Sequence, residues 1–117
     1  MIKVILIFII VVFSIAAGRY APVTVINAPP KTIARCLADT LSPYNYVLDI
    51  QGTDIAGINK AFTVYDRYGK NIAGTFWVAN SITNAPERTV GMYGVSKQAY
   101  PVFNKSLQQC AATLSAR

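Results

Sequence analysis

Residues 61–79 read AFTVYDRYGKNIAGTFWVA, and this stretch decides the fold that the sequence predicts. Two runs rich in β-branched and aromatic residues, Phe62–Tyr65 and Ile72–Val78, flank the turn-prone segment 66–71. Runs of this composition on either side of a polar, glycine-containing turn are typical of a β-hairpin. The stretch therefore predicts two neighbouring antiparallel strands.

Further strands are predicted on both sides of this hairpin. Upstream, residues 23–26 are short and β-branched, and residues 46–51 alternate so that one face is polar, with Gly52, Asp54 and Gly57 then turning the chain. Downstream, residues 81–86 are rich in turn formers, and residues 89–95 alternate well enough for another strand that glycine softens.

Two helices are predicted, at Lys31–Leu41 and at Pro101–Leu114. Their apolar residues recur at steps of three and four, which gives each helix one apolar face. These residues are Ile33, Cys36, Leu37 and Leu41 in the first helix and Val102, Phe103, Leu107, Cys110, Ala111 and Leu114 in the second. Pro30 suits a first helical turn, where its missing N–H has no partner, and Pro43 stops the first helix.

The order of these elements is β, α, β, β, β, β, α. It predicts an α+β fold in which an antiparallel sheet of four to five strands carries both helices on one face. A chain of 117 residues has room for one such domain. We place this domain at residues 19–117, with the hydrophobic segment 1–18 outside it.

The N-terminal segment has the form of a secretory signal peptide. Lys3 gives a positive start, Val4–Phe13 is an unbroken apolar run, and small residues follow at 14–18. The alternative is an uncleaved anchor in the inner membrane through Val4–Gly18, although a full span needs about 20 residues. A buried core element is a third interpretation. The first two interpretations place the domain in the periplasm, outside the cell, or on the membrane.

Cys36 and Cys110 lie on the apolar faces of the two predicted helices. If these helices lie side by side on the sheet, the two thiols can meet, and an oxidising compartment would join them in a disulfide. Two unlinked buried cysteines are the alternative, favoured if the chain is not exported.

The chain lacks residues that many catalytic mechanisms require. It has no histidine, which removes the commonest general base and the nucleophiles that pair with histidine. We therefore expect no enzyme, no cofactor and no metal site. An enzyme acting on glycan or peptide would have to use Asp49 and Asp54, for which we prefer a turn-capping role.

A candidate partner-binding site lies at the tip of the hairpin, where Tyr65, Arg67, Tyr68 and Lys70 gather. Tyrosine beside arginine or lysine is typical of contact surfaces, although such residues also populate ordinary sheet faces. The net charge of +6 favours an anionic partner. We expect a protein or an anionic envelope component and disfavour nucleic acid, which an exported protein seldom meets.

Residues 23–41, VTVINAPPKTIARCLADTL, resemble the start of small uncharacterised exported or lipoprotein-type bacterial proteins, in which a short strand leads into a helix with a Cys-Leu pair. The resemblance implies a bacterial or phage cell envelope and no particular activity. We expect a non-enzymatic envelope protein that binds another macromolecule through its sheet face or hairpin tip, as an inhibitor, an immunity or exclusion factor, or an accessory subunit. The alternative function is a structural membrane-surface module held by an uncleaved N-terminal helix.

Overall fold

The computed structural model describes residues 23–55, 58–66, 71–80 and 87–115. The predicted signal or anchor segment lies outside these residues. In chain order the elements are β1 (Thr24–Ile26), α1 (Pro30–Leu41), a short 3-10 helix (Ser42–Tyr44), β2 (Tyr46–Leu48), β3 (Thr53–Ile55), β4 (Ile58–Asp66), β5 (Ile72–Asn80), β6 (Arg88–Tyr93) and α2 (Tyr100–Ser115). Neither helix has the length and apolar sequence that a membrane span requires.

The strands form one antiparallel sheet, which confirms the predicted α+β class. Its order is β1-β6-β5-β4-β2, and β3 also pairs with β4. The sheet has six strands where four to five were expected, because Thr53–Ile55, predicted as part of a turn, pairs with β4. This pairing is available because β4 begins at Ile58, and Thr53 lies opposite Ala61.

Two predicted strands end earlier than expected, each at a local turn. β2 stops at Leu48, and beyond it the Gln51 N–H donates a 3.1 Å hydrogen bond to Asp49 Oδ1. β6 stops at Tyr93 because Gly94 adopts a left-handed conformation, with φ at 63°. A side-chain cap or a residue with positive φ ends strand pairing at a single residue. The alternating sequence pattern does not show such a boundary.

Both helices pack on one face of the sheet and share one core with it. Leu37 of α1 and Leu107 of α2 are fully buried in this core. The strand residues that join it are Ile26, Leu48, Phe62, Val64, Ala73, Phe76, Val78, Val90 and Met92. The two helices lie side by side, which is the arrangement that a bond between Cys36 and Cys110 requires.

Phe103 of α2 is at the centre of this packing. Its ring stacks on Phe76 of β5 at 5.0 Å between centroids, and Tyr46 meets it edge-on at 5.6 Å. A Cβ atom on Gly74 would lie 2.8 Å from Phe103 Cε2. The glycine in β5 therefore lets α2 approach the sheet closely.

A disulfide between Cys36 and Cys110 joins α1 to α2, which confirms the predicted pairing. The two Cα atoms are 5.9 Å apart, within the usual range for such a bond. The Thr40 hydroxyl lies 3.8 Å from Cys110 Sγ. The bond fixes the helix layer as one unit and indicates an oxidising, non-cytoplasmic location.

Candidate interaction surface

The face of the sheet opposite the helices is built from alternate strand residues, because successive side chains of a strand point to opposite faces. We call it the open face, since both helices of the described chain lie on the other side. Its residues are Val25, Val47, Thr53, Ala61, Thr63, Tyr65, Ile72, Thr75, Trp77, Ala79, Thr89, Gly91 and Tyr93.

The strand register arranges these residues in rows that run across the sheet. The rows are Val25-Thr89-Ala79, Gly91-Trp77-Ala61-Thr53, Tyr93-Thr75-Thr63 and Ile72-Tyr65-Val47. Residues directly opposite each other on neighbouring strands have Cβ atoms about 5 Å apart, so each row is in side-chain contact. The open face is therefore one continuous surface.

Trp77 forms the centre of this surface. Its indole ring lies over Gly91, where a Cβ atom would come within 2.8 Å of Trp77 Nε1 and closer still to the six-membered ring. Ala61 and Thr75 beside it are only 6% and 9% exposed, although they face away from the helices. The indole therefore covers Gly91 at the centre of the open face, with short, buried residues beside it.

Around this centre, large apolar side chains are open to solvent. Val25, Val47, Ile72 and Tyr93 are 55%, 53%, 63% and 52% exposed, respectively. Val23, just before β1, is exposed as well. One exposed apolar residue is ordinary, but several large ones on one face of a sheet are a candidate for an interaction surface.

None of the described residues on the open face is charged. Lys60, Asp66 and Arg88 lie opposite Val78, Tyr46 and Ile26, respectively, which places them at the alternate, helix-side positions of their strands. A surface with an uncharged, partly aromatic centre has the composition of the core of a protein interface.

The structure describes only one of the four predicted partner-binding residues. Tyr65 lies on the open face, directly between Val47 and Ile72. Arg67, Tyr68 and Lys70 lie outside the described residues, so the role of the hairpin tip stays a prediction. Trp77 and Tyr93 were not singled out from the sequence.

A small cleft opens at the end of the sheet near Asp66. It has a volume of about 230 Å³, and Tyr46, Asn71, Ser96 and Gln98 are among its lining residues. The Asn71 side-chain amide donates a 3.1 Å hydrogen bond to Asp66 Oδ2, and the Asp66 N–H bonds the Asn71 carbonyl at 2.9 Å. These bonds close the hairpin, and the cleft is below the roughly 300 Å³ at which small-molecule sites begin.

The carboxylates considered for catalysis have structural partners. Asp49 accepts the N–H of Gln51, as expected of a turn cap, and Asp54 lies 4.0 Å from Lys60 Nζ. Asp54 is 86% exposed, so its ion pair contributes little. Within the described ranges, no three His, Cys, Asp or Glu side chains are grouped as a metal site requires.

Compared with protein-family models, curated proteins and solved structures, the chain matches none of them. The interpretation of the open face therefore depends on its own geometry and chemistry.

Proposed function

We propose that this protein is a non-enzymatic exported envelope protein that binds another macromolecule, namely a protein, through the open face. The observation that carries the proposal is the composition of this face: among the described residues it holds no charged side chain and exposes several large apolar ones, and both helices pack on the other side of the sheet. An inhibitor, an immunity or exclusion factor, or an accessory subunit of an envelope assembly would act in this way.

The rigidity of the domain supports a binding role. The disulfide between the helices and the shared core hold the sheet rigid from behind. A rigid surface loses little conformational entropy when a partner docks, so more of the contact energy appears as affinity. Trp77 and Tyr93 are of the residue types that dominate binding energy in interfaces.

The charge distribution indicates what kind of surface the partner presents to the open face. The two helices carry exposed basic residues at Lys31, Arg35 and Lys105, and exposed Lys97 lies in the loop before α2. A carboxylate or phosphate buried against the open face would lose its hydration without gaining a cation from the described residues of that face. The partner should therefore contribute an uncharged, partly apolar surface, and an anionic envelope component would meet the helix layer instead.

The proposal is tested by recovering partners from an envelope extract on the immobilised protein. We expect a Tyr93→Glu variant to lose the partner, with affinity lowered at least about tenfold, because the new carboxylate would be buried in an uncharged contact. A Tyr44→Glu variant is the matched control. It makes the same change at an exposed tyrosine that lies beside Lys105 on the helix side, where Lys105 Nζ is 3.3 Å from the Tyr44 hydroxyl.

Equal recovery by the two variants would contradict binding through the open face. If an Arg67→Ala/Tyr68→Ala variant lost the partner and the Tyr93→Glu variant kept it, the hairpin tip would be the binding site. Recovery of no partner by the unaltered protein would count against a binding function altogether.

A further inference from the structure

We propose that Cys36 is the sulfur through which the disulfide exchanges with thiols outside the protein, and that Cys110 is its internal resolving partner. The incoming group is a thiolate, either of a small thiol such as glutathione or of a dithiol protein. This inference goes beyond the proposed function and does not depend on it, because it concerns the helix layer and not the open face.

The two sulfurs of the bond differ in their access to solvent. Cys110 is fully buried, so solvent does not reach it while the domain is folded. Cys36 is only partly buried. Thiol–disulfide exchange requires a thiolate to reach one sulfur of the bond and to expel the other. In the folded domain, Cys36 Sγ is therefore the sulfur that can be attacked.

The position of Cys36 in α1 explains this access. With about 3.6 residues per turn, Cys36 lies between the buried line of Ile33 and Leu37 and the exposed line of Lys31 and Arg35. The side chains of neighbouring turns enclose the backbone of a helix interior, so the exposed part of Cys36 belongs mainly to its side chain. The sulfur thus lies at the border of the helix layer.

Cys110 has the opposite position in α2. It shares one helix face with Leu107, three residues earlier, and Leu114, four residues later, and both of these side chains are buried. A thiolate could reach Cys110 Sγ directly only if this part of the core opened, which costs free energy that attack at Cys36 does not.

Thr40 can stabilise the sulfur that leaves. Its hydroxyl lies 3.8 Å from Cys110 Sγ. While the bond is closed, this hydroxyl donates to the carbonyl oxygens of Cys36 and Leu37, at 3.0 and 3.1 Å. When the bond opens, Cys110 becomes a thiolate in an apolar core, which is costly without a hydrogen-bond donor. Rotation of the Thr40 hydroxyl towards the sulfur provides that donor.

The exchange proceeds in two balanced steps. An external thiolate attacks Cys36 Sγ, forms a mixed disulfide there and expels Cys110 as a thiolate, which takes up a proton. A second external thiolate attacks the external sulfur of the mixed disulfide and releases the Cys36 thiolate. Two external thiols are thereby oxidised to one disulfide, and the protein disulfide is reduced to two thiols. In the oxidising direction, the Cys110 thiolate attacks the mixed disulfide at Cys36 and closes the bond.

The experiment maps glutathione on the unaltered protein, folded and oxidised as the cell processes it. Excess reduced glutathione is added, acid stops the reaction after partial conversion, and peptide mass spectrometry locates the adduct. Under native conditions we expect at least about tenfold more adduct on Cys36 than on Cys110, and in urea about equal amounts, because burial then no longer distinguishes the sulfurs.

Single-cysteine variants provide a second measurement. With oxidised glutathione, Cys110→Ala should form a stable adduct at Cys36, and Cys36→Ala should react at least about tenfold more slowly at the buried Cys110. Circular dichroism checks the folding of both variants. If either does not fold, the map on the unaltered protein decides.

Thr40→Val tests the contact with the leaving sulfur. Loss of the hydroxyl should slow the reduction of the folded protein by about tenfold, since a hydrogen bond to a charged group is lost. Thr32→Val is the matched control, because it makes the same change in α1 one turn before Cys36, and its rate should be unchanged. A destabilised domain would be reduced faster, so slower reduction separates this role from a loss of packing. An unchanged rate in Thr40→Val would refute the role of the hydroxyl.

Adduct found mainly on Cys110, or equally on both sulfurs of the folded protein, overturns the inference, because exchange would then require the core to open. Exchange that is only as fast as global unfolding overturns it as well. A reduced dithiol protein of the thioredoxin type, used in place of glutathione, identifies the source of the thiolate. A complex trapped at Cys36 supports exchange with proteins, and reaction with glutathione alone supports exchange with small thiols. Partner recovery through Tyr93 is a separate measurement, so this inference and the proposed function can fail independently.

Discussion

At the scale of single residues, the contact between Trp77 and Gly91 shapes the centre of the open face. The indole occupies the space that a side chain at position 91 would take. We expect Gly91→Ala to lower the free energy of unfolding by about 1 to 3 kcal/mol, because the added methyl group forces the indole from its site. Urea unfolding monitored by circular dichroism measures this change.

The matched control for this prediction is the same substitution in a Trp77→Leu background. There the added methyl group meets a smaller side chain, so the loss should shrink by about 1 kcal/mol or more in a double-mutant cycle. Additive losses would mean that the glycine is required by the strand backbone and not by the indole.

At the scale of the elements, the disulfide is the strongest single constraint on the helix layer. Cys36 and Cys110 are 74 positions apart in sequence, so the bond restricts a long loop of the unfolded chain. We expect a Cys36→Ala/Cys110→Ala variant to lose about 4 kcal/mol of unfolding free energy, close to the whole stability of many small domains. Thermal and urea unfolding of the variant, and of the unaltered protein with and without reductant, measure the loss.

Two observations check that this loss comes from the bond. Under non-reducing conditions the unaltered protein should be lighter by two hydrogen atoms than the reduced protein, and it should resist alkylation when folded. A loss in the variant that reductant does not reproduce in the unaltered protein would point to the fully buried Cys110 side chain as a packing group. Complete alkylation of the native protein would refute the bond.

The elements differ in how well the sequence alone predicts them, for physical reasons. The helices follow from local spacing, since Ile33, Leu37 and Leu41 must share a face of any helix that contains them. The strand β3 could not be predicted locally, because a short segment such as Thr53–Ile55 becomes a strand only by pairing with β4. Pairing of this kind is a tertiary effect that strand propensity does not contain.

The sequence pattern did not predict the open face, for a related reason. In β5, Phe76 and Val78 are apolar, and so are Trp77 and Ala79 between them. When both faces of a strand are apolar, alternation does not indicate which one the helices cover. The structure answers this through the register and the positions of α1 and α2, and only then does Trp77 stand out as a surface residue.

At the scale of the whole molecule, the chain separates its chemistry between two layers. The helix layer carries exposed Lys31, Arg35 and Lys105 together with the disulfide, and the sheet presents an uncharged surface on its other side. The disulfide in the helix layer also bears on the compartment in which the protein folds. The bond requires oxidation, so the rigidity that it gives the sheet depends on an oxidising compartment.

We therefore expect the native protein to be released in the soluble envelope fraction, with its N-terminus near Arg19 or Ala17 and its cysteines oxidised. Ile7→Asp should block this, because an aspartate within the apolar run costs about 2.5 to 3.5 kcal/mol on insertion. The blocked precursor should keep Met1 in the cytoplasm and show alkylatable thiols. Ile50→Asp makes the same change at a partly exposed position of the domain and should leave export unaffected. N-terminal sequencing and alkylation of each fraction provide the measurement.

If instead the chain kept Met1 and stayed with the membrane after a carbonate wash, the segment would be an anchor and the protein a membrane-surface module. A soluble cytoplasmic protein with free thiols would remove the premise of both functions.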